Sequence, residues 1–473
     1  MPINSFLYPG AKVTLGYDVD NSLRFNSGSS DYLTNSNSTP TNNDICTFSF
    51  WVKFSTDDVS EAIFSAHTDG SNRFQLFRLS SGKMQFFQQV SGSVNMNLTT
   101  NRLFRDVSSW YNFVYEVDTS QSTDSNRVKM YVNGVQETSF STETYPSQNT
   151  DIRFNTNSLT QEIGRANGTD YGSYYLAEFV FVDGTALDQT SFGEFDSDSP
   201  TIWKPKDVSG LTLGNNGFYL DFENSSGLGN DATGTNHFAV NNLTAVDQST
   251  DTCTNNFCTL NSLDNYYQDD TLSEGNIKMV GGSRHAHRIG TFGLSTGKWY
   301  FEVQVNNFQS SDQTGIGIAA EGPTSTDYET YNQSGSNVGY VYYSNGAVYG
   351  GGSTIKNSGV FSSGSGTHII GVALNLTDSK IAWSYDGTWQ GSTDPGAGNT
   401  NMTSITATSS LIHGVYFPAV KQKANNRILS MNFGSPSFSI SSGNSDANGY
   451  GNFEYSVPSG YYALNTKNLA EFG

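Results

Sequence analysis

Charged side chains are scarce in this sequence. Only 14% of its 473 residues are Asp, Glu, Lys or Arg, and 24 basic against 44 acidic residues leave a formal net charge of −20. A nucleic-acid partner requires a basic stripe that neutralises phosphates, so the net acidity argues against DNA or RNA binding. A disordered acidic chain is also disfavoured, because such chains contain few aromatic residues and this one is 13% aromatic.

Long apolar runs and cysteine pairs are missing as well. No stretch of about 18 apolar residues occurs, so no membrane insertion is expected. The start, MPINSFLYPGAKV, lacks the basic and apolar regions of a secretory signal. Three cysteines, Cys46, Cys253 and Cys258, form an odd set that predicts no complete disulfide framework. Cys46 is expected to pack as a small apolar residue.

Helical periodicity is nearly absent, and alternation with a period of two takes its place. Apolar residues alternate in TFSFWVKF (47–54), WYNFVYEVD (110–118), GKWYFEVQV (297–305) and THIIGVALNL (367–376). Hairpin turns are marked by Asn133-Gly134, Asn345-Gly346 and Asp386-Gly387, because these residue types tolerate positive φ. The pattern predicts an all-β chain of two antiparallel β-sandwich domains of the jelly-roll type.

The distribution of these runs predicts how the chain is divided. Residues 21–190 are expected to form the first sandwich, and residues 259–473 the second. Alternation is weaker over residues 191–258, but Trp203, Phe218, Tyr219 and Phe222 are costly to leave in water. This stretch is therefore predicted to be an ordered connector. Residues 1–20 are too short for a domain.

Two sets of segments are similar to known families. SLRFNSGSSDYLT, TFSFWVKF, WYNFVYEVD, RVKMYVNGVQ, IGR and YYLAEFVFVDGTAL resemble, in order and spacing, the laminin-G-like or concanavalin-like lectin family over about residues 20–190. GKWYFEVQV, GIGIA, HIIGVALNLTDSKIAWSYDG, VYFPAV and MNFG resemble a SPRY domain. The resemblances imply a lectin-like sandwich followed by a SPRY-like sandwich.

The combination, with its closing VPSGYYALNTKNL, resembles virion proteins of tailed bacteriophages that infect marine bacteria, including cyanobacteria. This implies a non-enzymatic structural protein on the virion surface, assembled in the host cytoplasm, that acts in adhesion or receptor binding as a tail fibre. A capsid decoration or head-fibre protein, acting through protein–protein packing, is the alternative. Phe6, Leu7 and Tyr8, in the predicted attachment segment 1–20, are the candidates for docking onto other virion proteins. A homo-oligomer, by analogy a trimer, is expected.

Catalytic motifs are missing from the sequence. Glycoside hydrolases of this architecture carry E-x-D-x-x-E on one strand, and the nearest segment, which begins at Glu194, has Ser199 where the last Glu is needed. Neither a GxSxG elbow nor a Walker loop occurs. A glycan depolymerase is the remote alternative, and no catalytic residue or cofactor is predicted.

Metal ligands are not indicated by a regular motif either. His285 and His287 share a strand face, but without a nearby carboxylate or third histidine they favour a solvated basic patch. Calcium could bind in the acidic turns at Asp57, Asp196 and Asp270, which lack the regular order of a dedicated calcium loop. Acidic surface turns explain these aspartates equally well, so no metal site is assigned.

Aromatic residues near two hairpin turns are the candidate binding residues. They are Tyr340, Tyr342, Tyr343, Tyr349, Tyr385 and Trp389. Binding loops usually concentrate at such ends of a rigid scaffold, and exposed rings stack on sugars. Tyr and Trp are also enriched at protein interfaces. A neighbouring virion protein is the favoured ligand, and a host surface glycan remains open.

Overall fold

A computed structural model describes residues 16–264, 270–322, 338–396, 398, 400–423 and 426–473. Within them the chain forms two compact units, which belong to Val13–Thr254 and Asn255–Gly473. The described residues are organised as sheets of almost entirely antiparallel strands, with one short α-helix, α1 (Thr466–Phe472), which confirms the all-β prediction. No helix in these ranges has the length and apolar character to cross a membrane. The attachment candidates Phe6, Leu7 and Tyr8 lie outside the described residues.

The first unit is built from short strands joined by tight turns. Its strands are β1 (Ser22–Phe25), β2 (Tyr32–Ser36), β3 (Ile45–Phe54), β4 (Glu61–Asp69), β5 (Asn72–Arg78), β6 (Met84–Val90), β7 (Ser93–Thr100), β8 (Tyr111–Asp118), β9 (Val128–Val132), β10 (Val135–Glu137), β11 (Phe140–Thr144), β12 (Thr160–Ile163), β13 (Arg165–Ala166), β14 (Asp170–Tyr171), β15 (Tyr174–Asp183), β16 (Gly193–Phe195), β17 (Trp203–Pro205), β18 (Phe218–Leu220), β19 (Ala239–Asn241) and β20 (Gln248–Ser249). Single 3₁₀ turns lie at Ser27–Ser29, Asp124–Asn126, Arg153–Asn155, Gln189–Ser191 and Ala245–Asp247.

Two large sheets enclose the core of the first unit. Sheet 1 has the order β10-β9-β8-β3-β15-β1-β20, with β18 also paired to β15, and sheet 2 has the order β11-β7-β6-β5-β4-β12-β2-β19. Alternate residues of both sheets point between them, which buries Phe48 and Phe50 of sheet 1 against Phe64 and Phe74 of sheet 2. Cys46 is buried in the same core, as predicted.

The turn predicted at Asn133-Gly134 joins β9 to β10. Both residues have positive φ, +48° and +77°, as a two-residue hairpin turn requires. Glycine is needed here for a second reason, since a Cβ at position 134 would lie 2.2 Å from Cε3 of Trp203. Asp386 and Gly387 form the same kind of turn, with φ of +46° and +76°, in the second unit.

The predicted connector, residues 191–258, is not a separate segment of the structure. Up to Thr254 it belongs to the first unit, where β18 pairs with β15, β20 with β1 and β19 with β2. Its aromatic side chains cover both the core and the outer side of sheet 1, and Trp203 donates from Nε1 to Oδ1 of Asn112 over 2.9 Å. The boundary therefore lies near residue 254, because the buried aromatics tie this stretch to the first sandwich.

The second unit is also a sandwich. Its strands are β21 (Asp270–Ser273), β22 (Lys278–Gly281), β23 (Ala286–Ile289), β24 (Lys298–Val305), β25 (Gly315–Ala319), β26 (Gly339–Tyr343), β27 (Val348–Gly350), β28 (Ser353–Lys356), β29 (His368–Asn375), β30 (Lys380–Tyr385), β31 (Thr388–Trp389), β32 (Thr403–Ser404), β33 (Phe417–Gln422), β34 (Ile428–Asn432) and β35 (Tyr462–Ala463). The 3₁₀ turns are Ser310–Asp312, Gln390–Ser392 and Thr408–Ser410.

Two sheets again face each other across a core. Sheet 3 has the order β21-β22-β34-β24-β29-β30-β31, with β32 on β30 and β35 on β24, and sheet 4 has the order β23-β33-β25-β26-β27-β28. Trp299 and Trp383 are fully buried between the sheets. His285 and His287 are buried too, which corrects the prediction of a solvated basic patch. Burial, together with the nearby Lys421 ammonium, lowers the pKa of His287 to about 3, so its imidazole is neutral.

Candidate functional site

The six aromatic candidates do not form one surface. Tyr340 and Tyr342 were expected to be exposed, but they are 5% and 0% exposed and belong to the core of the second unit. The reason is the period of two in β26, which turns both side chains inward. The Tyr342 ring contacts Phe308 at 5.0 Å and Phe361 at 5.3 Å between centroids.

The other four candidates are half-buried and divide between the two sheets. Tyr343 and Tyr349 lie edge to face, with centroids 5.4 Å apart, on the outer side of sheet 4. Tyr385 packs on His368 in sheet 3, and Trp389 packs on Tyr300. These contacts fix the rings within the fold, so the hairpin aromatics do not assemble a shared binding platform.

The outward side of sheet 2 is a more concentrated group of polar side chains, which we call the polar face. Phe64, Leu76, Phe86 and Leu98 of β4–β7 turn toward the core, so the residues between them turn outward. Strand register places one outward residue from each of six neighbouring strands in a row across the sheet: Thr34, Glu162, Ser65, Gln75, Phe87 and Asn97. Five strand spacings make this row about 24 Å long.

A second row of the polar face carries positive charge. His67 of β4 is the register partner of Arg73 of β5, and Arg73 is in turn the partner of Gln89 of β6. Nε of Arg73 donates to Oε1 of Gln89 over 3.1 Å, and the guanidinium lies 5.2 Å from the ring centroid of Phe87. All three polar side chains are half-buried, which leaves part of each in contact with solvent.

Glu162 is the acidic residue of the central row, and its charge is matched locally. Its carboxylate accepts from Nε of Arg165 over 3.1 Å and also from Nη2 of the same guanidinium. Ser65 Oγ donates to the other carboxylate oxygen over 3.3 Å. The Arg165 guanidinium stacks 3.6 Å from the ring centroid of Tyr32. An ion pair backed by an aromatic ring therefore forms one end of the polar face.

Two nitrogen atoms of the polar face have no hydrogen-bond partner within the described part of the chain. Gln75 is only 5% exposed, yet its Nε2 has no partner. Nδ1 of His67 is also buried without a hydrogen bond, and the nearest carboxylate oxygen, on Glu162, is 3.7 Å away. A buried donor without an acceptor costs about 1–3 kcal/mol. An amide donor without an acceptor, on the same side of the sheet as the half-buried His67, Arg73 and Gln89, is what a site that binds an oxygen-rich ligand requires.

A separate buried carboxyl group lies on the outer side of sheet 1. Glu178 sits in a β-bulge between Ala177 and Val180, with φ of +51°, and accepts hydrogen bonds from the hydroxyls of Tyr219 (2.7 Å) and Tyr17 (3.2 Å). Burial raises the pKa of Glu178 to about 7, and its acidic neighbours Asp221 and Glu223 add to the rise. This carboxyl group exchanges its proton near neutrality, far above the usual range for glutamate.

Metal ligation finds no support in the described residues, where no group of three or more His, Cys, Asp or Glu side chains could hold an ion. Asp196, one of the aspartates weighed for calcium, accepts from the backbone N–H groups of Asp198 and Ser199 and pairs with Lys204 at 3.3 Å. Asp270 pairs with Arg288 at 3.1 Å. These carboxylates serve local turns and ion pairs.

Comparison with known proteins agrees with the fold of the first unit. Residues 26–187 match the family model described as the Concanavalin A-like lectin/glucanases superfamily. No curated protein sequence matches the chain. The chain therefore contains a laminin-G/concanavalin-like domain, as the resemblance implied.

Three of the similar solved structures are below 20% identical to this chain, with TM-scores of 0.30 or less. Domains LG4-5 of the mouse laminin alpha1 chain are 10% identical, with a TM-score of 0.30, over 95% of this chain and 100% of that chain. The SPRY domain of human HERC1 is 12% identical, with a TM-score of 0.27, over 35% of this chain and 92% of that one. A heptameric pentraxin from Limulus polyphemus is 17% identical, with a TM-score of 0.28, over 36% and 79%.

Proposed function

We propose that this chain is a non-enzymatic adhesion protein that binds a glycan through the polar face of its first unit. The unpartnered amide of Gln75 carries the proposal. A buried donor without an acceptor lowers stability, and a bound hydroxyl or ring oxygen would satisfy it. Around it, the half-buried Asn97 and Gln89 add donors and acceptors, while Phe87, 8% exposed, adds the edge of an aromatic ring. Hydrogen-bond donors and acceptors that are spread over a row about 24 Å long suit an extended polymer of sugars.

Glycan cleavage is less well supported than binding. Hydrolysis requires two carboxyl groups about 5–9.5 Å apart, one of which keeps its proton as the acid. Glu162, the carboxylate of the central row, forms an ion pair with Arg165, and the row of Thr34, Glu162, Ser65, Gln75, Phe87 and Asn97 contains no second carboxyl group. The geometry therefore favours binding of the intact polymer over its cleavage, and a glycan depolymerase remains the second candidate.

The setting of this adhesion is proposed from the resemblance to phage proteins. In it the chain is displayed on a virion surface as a tail fibre, beside other virion proteins, in a closed homo-oligomer such as a trimer. Several copies would convert weak contacts with a host surface glycan into avidity. A capsid decoration or head fibre is the alternative position, and the two differ in where the chain lies on an intact particle.

Replacing Gln75 with leucine separates binding from folding. We expect the variant to bind the polysaccharide that the wild type binds at least about tenfold more weakly, because one ligand hydrogen bond is lost. Its free energy of unfolding should stay equal or rise, since leucine removes a buried donor that has no acceptor. Biolayer interferometry on immobilised dextran, mannan, polygalacturonate and alginate measures the binding, and urea unfolding measures the stability.

Gln422→Leu is the matched control. Gln422 lies in β33 of the second unit, is fully buried, and has no hydrogen-bond partner for Nε2 or Oε1 among the described residues. The same substitution there should preserve binding. Failure of the wild type to bind any of the four polymers would overturn the proposed function, and so would a Gln75→Leu protein that binds like the wild type.

A further inference from the structure

The polar face carries more basic than acidic side chains. Arg73, Arg165 and His67 provide the basic groups, whereas Glu162 provides the carboxylate of the central row. Because Arg165 and Glu162 pair with each other, their charges cancel. Arg73 has no carboxylate partner in the described part of the chain; its contacts are Gln89 and the ring of Phe87. The face therefore keeps an uncompensated positive charge on a chain whose net charge is −20.

Near Arg73, the side chains offer more hydrogen-bond donors than the surrounding fold satisfies with acceptors. The guanidinium has five N–H donors, of which Nε is used by Gln89. The unpartnered Nε2 of Gln75 lies two residues along the same strand and on the same side of the sheet. The imidazole of His67 lies on the neighbouring strand, directly across from Arg73. A ligand group that only accepts hydrogen bonds, and that carries negative charge, would complement all three side chains.

We propose that the polar face recognises an acidic polysaccharide, with a sugar carboxylate bound at Arg73, Gln75 and His67. This inference rests on the proposed function and names the ligand class for the same face. A guanidinium matches a carboxylate with two parallel N–H···O bonds, which are stronger than bonds to neutral hydroxyls. Phe87 lies beneath the guanidinium and restricts its orientation, so less freedom is lost when the carboxylate binds.

Glu162 is the carboxylate close to this site, with Oε2 3.7 Å from Nδ1 of His67, and Arg165 pairs with it. Acidic residues farther away oppose the ligand only at long range. At an ionic strength of 0.15 M the Debye length is about 8 Å, so the distant acidic residues are largely screened. A contact made directly on a half-buried arginine is screened much less. Selection for the carboxylate is therefore decided by the few side chains around Arg73.

The experiment compares acidic polymers with their own neutral derivatives. Biolayer interferometry at 0.15 M salt measures binding of the full chain to polygalacturonate, alginate and hyaluronate, and to the methyl ester of each. We expect the wild type to prefer at least one acidic polymer over its ester by about tenfold, the difference that one charge-assisted hydrogen bond provides. Arg73→Gln should abolish this preference, and Arg73→Lys should keep part of it because the charge remains.

Lys206→Gln is the control for charge alone, because Lys206 contacts the backbone oxygen of Thr190 in the segment that covers sheet 1. It should leave the preference unchanged, and circular dichroism melting verifies that each variant is folded. Equal binding to the acidic polymer and to its ester would overturn the proposal of an acidic ligand while leaving the proposed function intact. A preference that survives Arg73→Gln would overturn the assignment to this face. Wild type that binds none of the six polymers would overturn the acidic ligand, and it would overturn the proposed function as well if dextran and mannan were not bound either.

Discussion

Replacing Phe48 with alanine will lower the free energy of unfolding of the first unit by about 3–5 kcal/mol, the range for deleting a buried phenylalanine side chain. Phe48 of β3 is fully buried and contacts rings on both sides of the sandwich. Its centroid lies 4.8 Å from that of Phe64 and 5.8 Å from that of Phe74 in sheet 2, and 4.8 Å from that of Phe181 in sheet 1. Rigid rings cannot collapse into the space, so the loss includes a cavity cost in addition to the lost burial.

Phe195→Ala provides the comparison within the same unit. Phe195 is 42% exposed and touches Trp203 by an edge-to-face contact at 5.0 Å. The same atoms are removed, but the expected cost is below about 1 kcal/mol because little burial is lost. Urea unfolding followed by far-ultraviolet circular dichroism measures both variants. Similar losses for the two would mean that the rings of Phe48, Phe64 and Phe181 do not form the core that joins sheets 1 and 2.

Replacing Glu178 with glutamine will stabilise the protein more at pH 8 than at pH 4. Burial raises the pKa of this carboxyl from its ordinary 4.5 to about 7 in the folded state. Below pH 4.5 the group is neutral in folded and unfolded chains, and it costs nothing. As the pH rises from 4.5 through 7, the unfolded chain ionises first and the folded state loses stability. A shift of this size corresponds to about 3 kcal/mol, fully lost above pH 7.

Glutamine keeps an acceptor for the hydroxyls of Tyr17 and Tyr219 and never ionises. The difference in unfolding free energy between Glu178→Gln and wild type should therefore grow in favour of the variant by about 3 kcal/mol from pH 4 to pH 8. Urea titrations at both pH values measure it, and titrating groups that do not interact with Glu178 cancel between the two proteins. A difference that does not change with pH would show that Glu178 ionises as an ordinary surface glutamate does.

The strand pattern was well predicted from the sequence because each core strand alternates. TFSFWVKF forms β3 with Phe48, Phe50, Val52 and Phe54 directed into the core, as the period of two requires. Turn residues were equally informative, since Asn133 and Gly134 adopt the positive φ that their residue types tolerate. Residues 191–258 were harder to assign, because short strands such as β18 and β20 pair with distant partners. The pairing of strands that are distant in the sequence depends on tertiary packing, which cannot be predicted from a local sequence pattern.

The candidate site was the part that sequence reasoning missed. Aromatic residues near turns were expected to be exposed, but alternation in β26 buries Tyr340 and Tyr342, a consequence that the same period of two could have revealed. The polar face uses Gln75, Gln89 and other amides that resemble the ordinary outward side of a strand. A signal was present in RFQLFRL and MQFFQQV, where Arg73, Gln75, Gln85 and Gln89 share the outward positions with phenylalanine. Their alignment across six strands becomes visible only once the register is known.

Hydrogen exchange of the full chain with and without the polysaccharide that binds it most tightly tests the central claim directly. If the polar face is the binding surface, the ligand will slow amide exchange in β4–β7 and β12, the strands that carry Gln75, Arg73 and Glu162. Exchange in β26 and β27, around Tyr343 and Tyr349, will stay unchanged. Slowing confined to β26 and β27, with β4–β7 unaffected, would contradict the account.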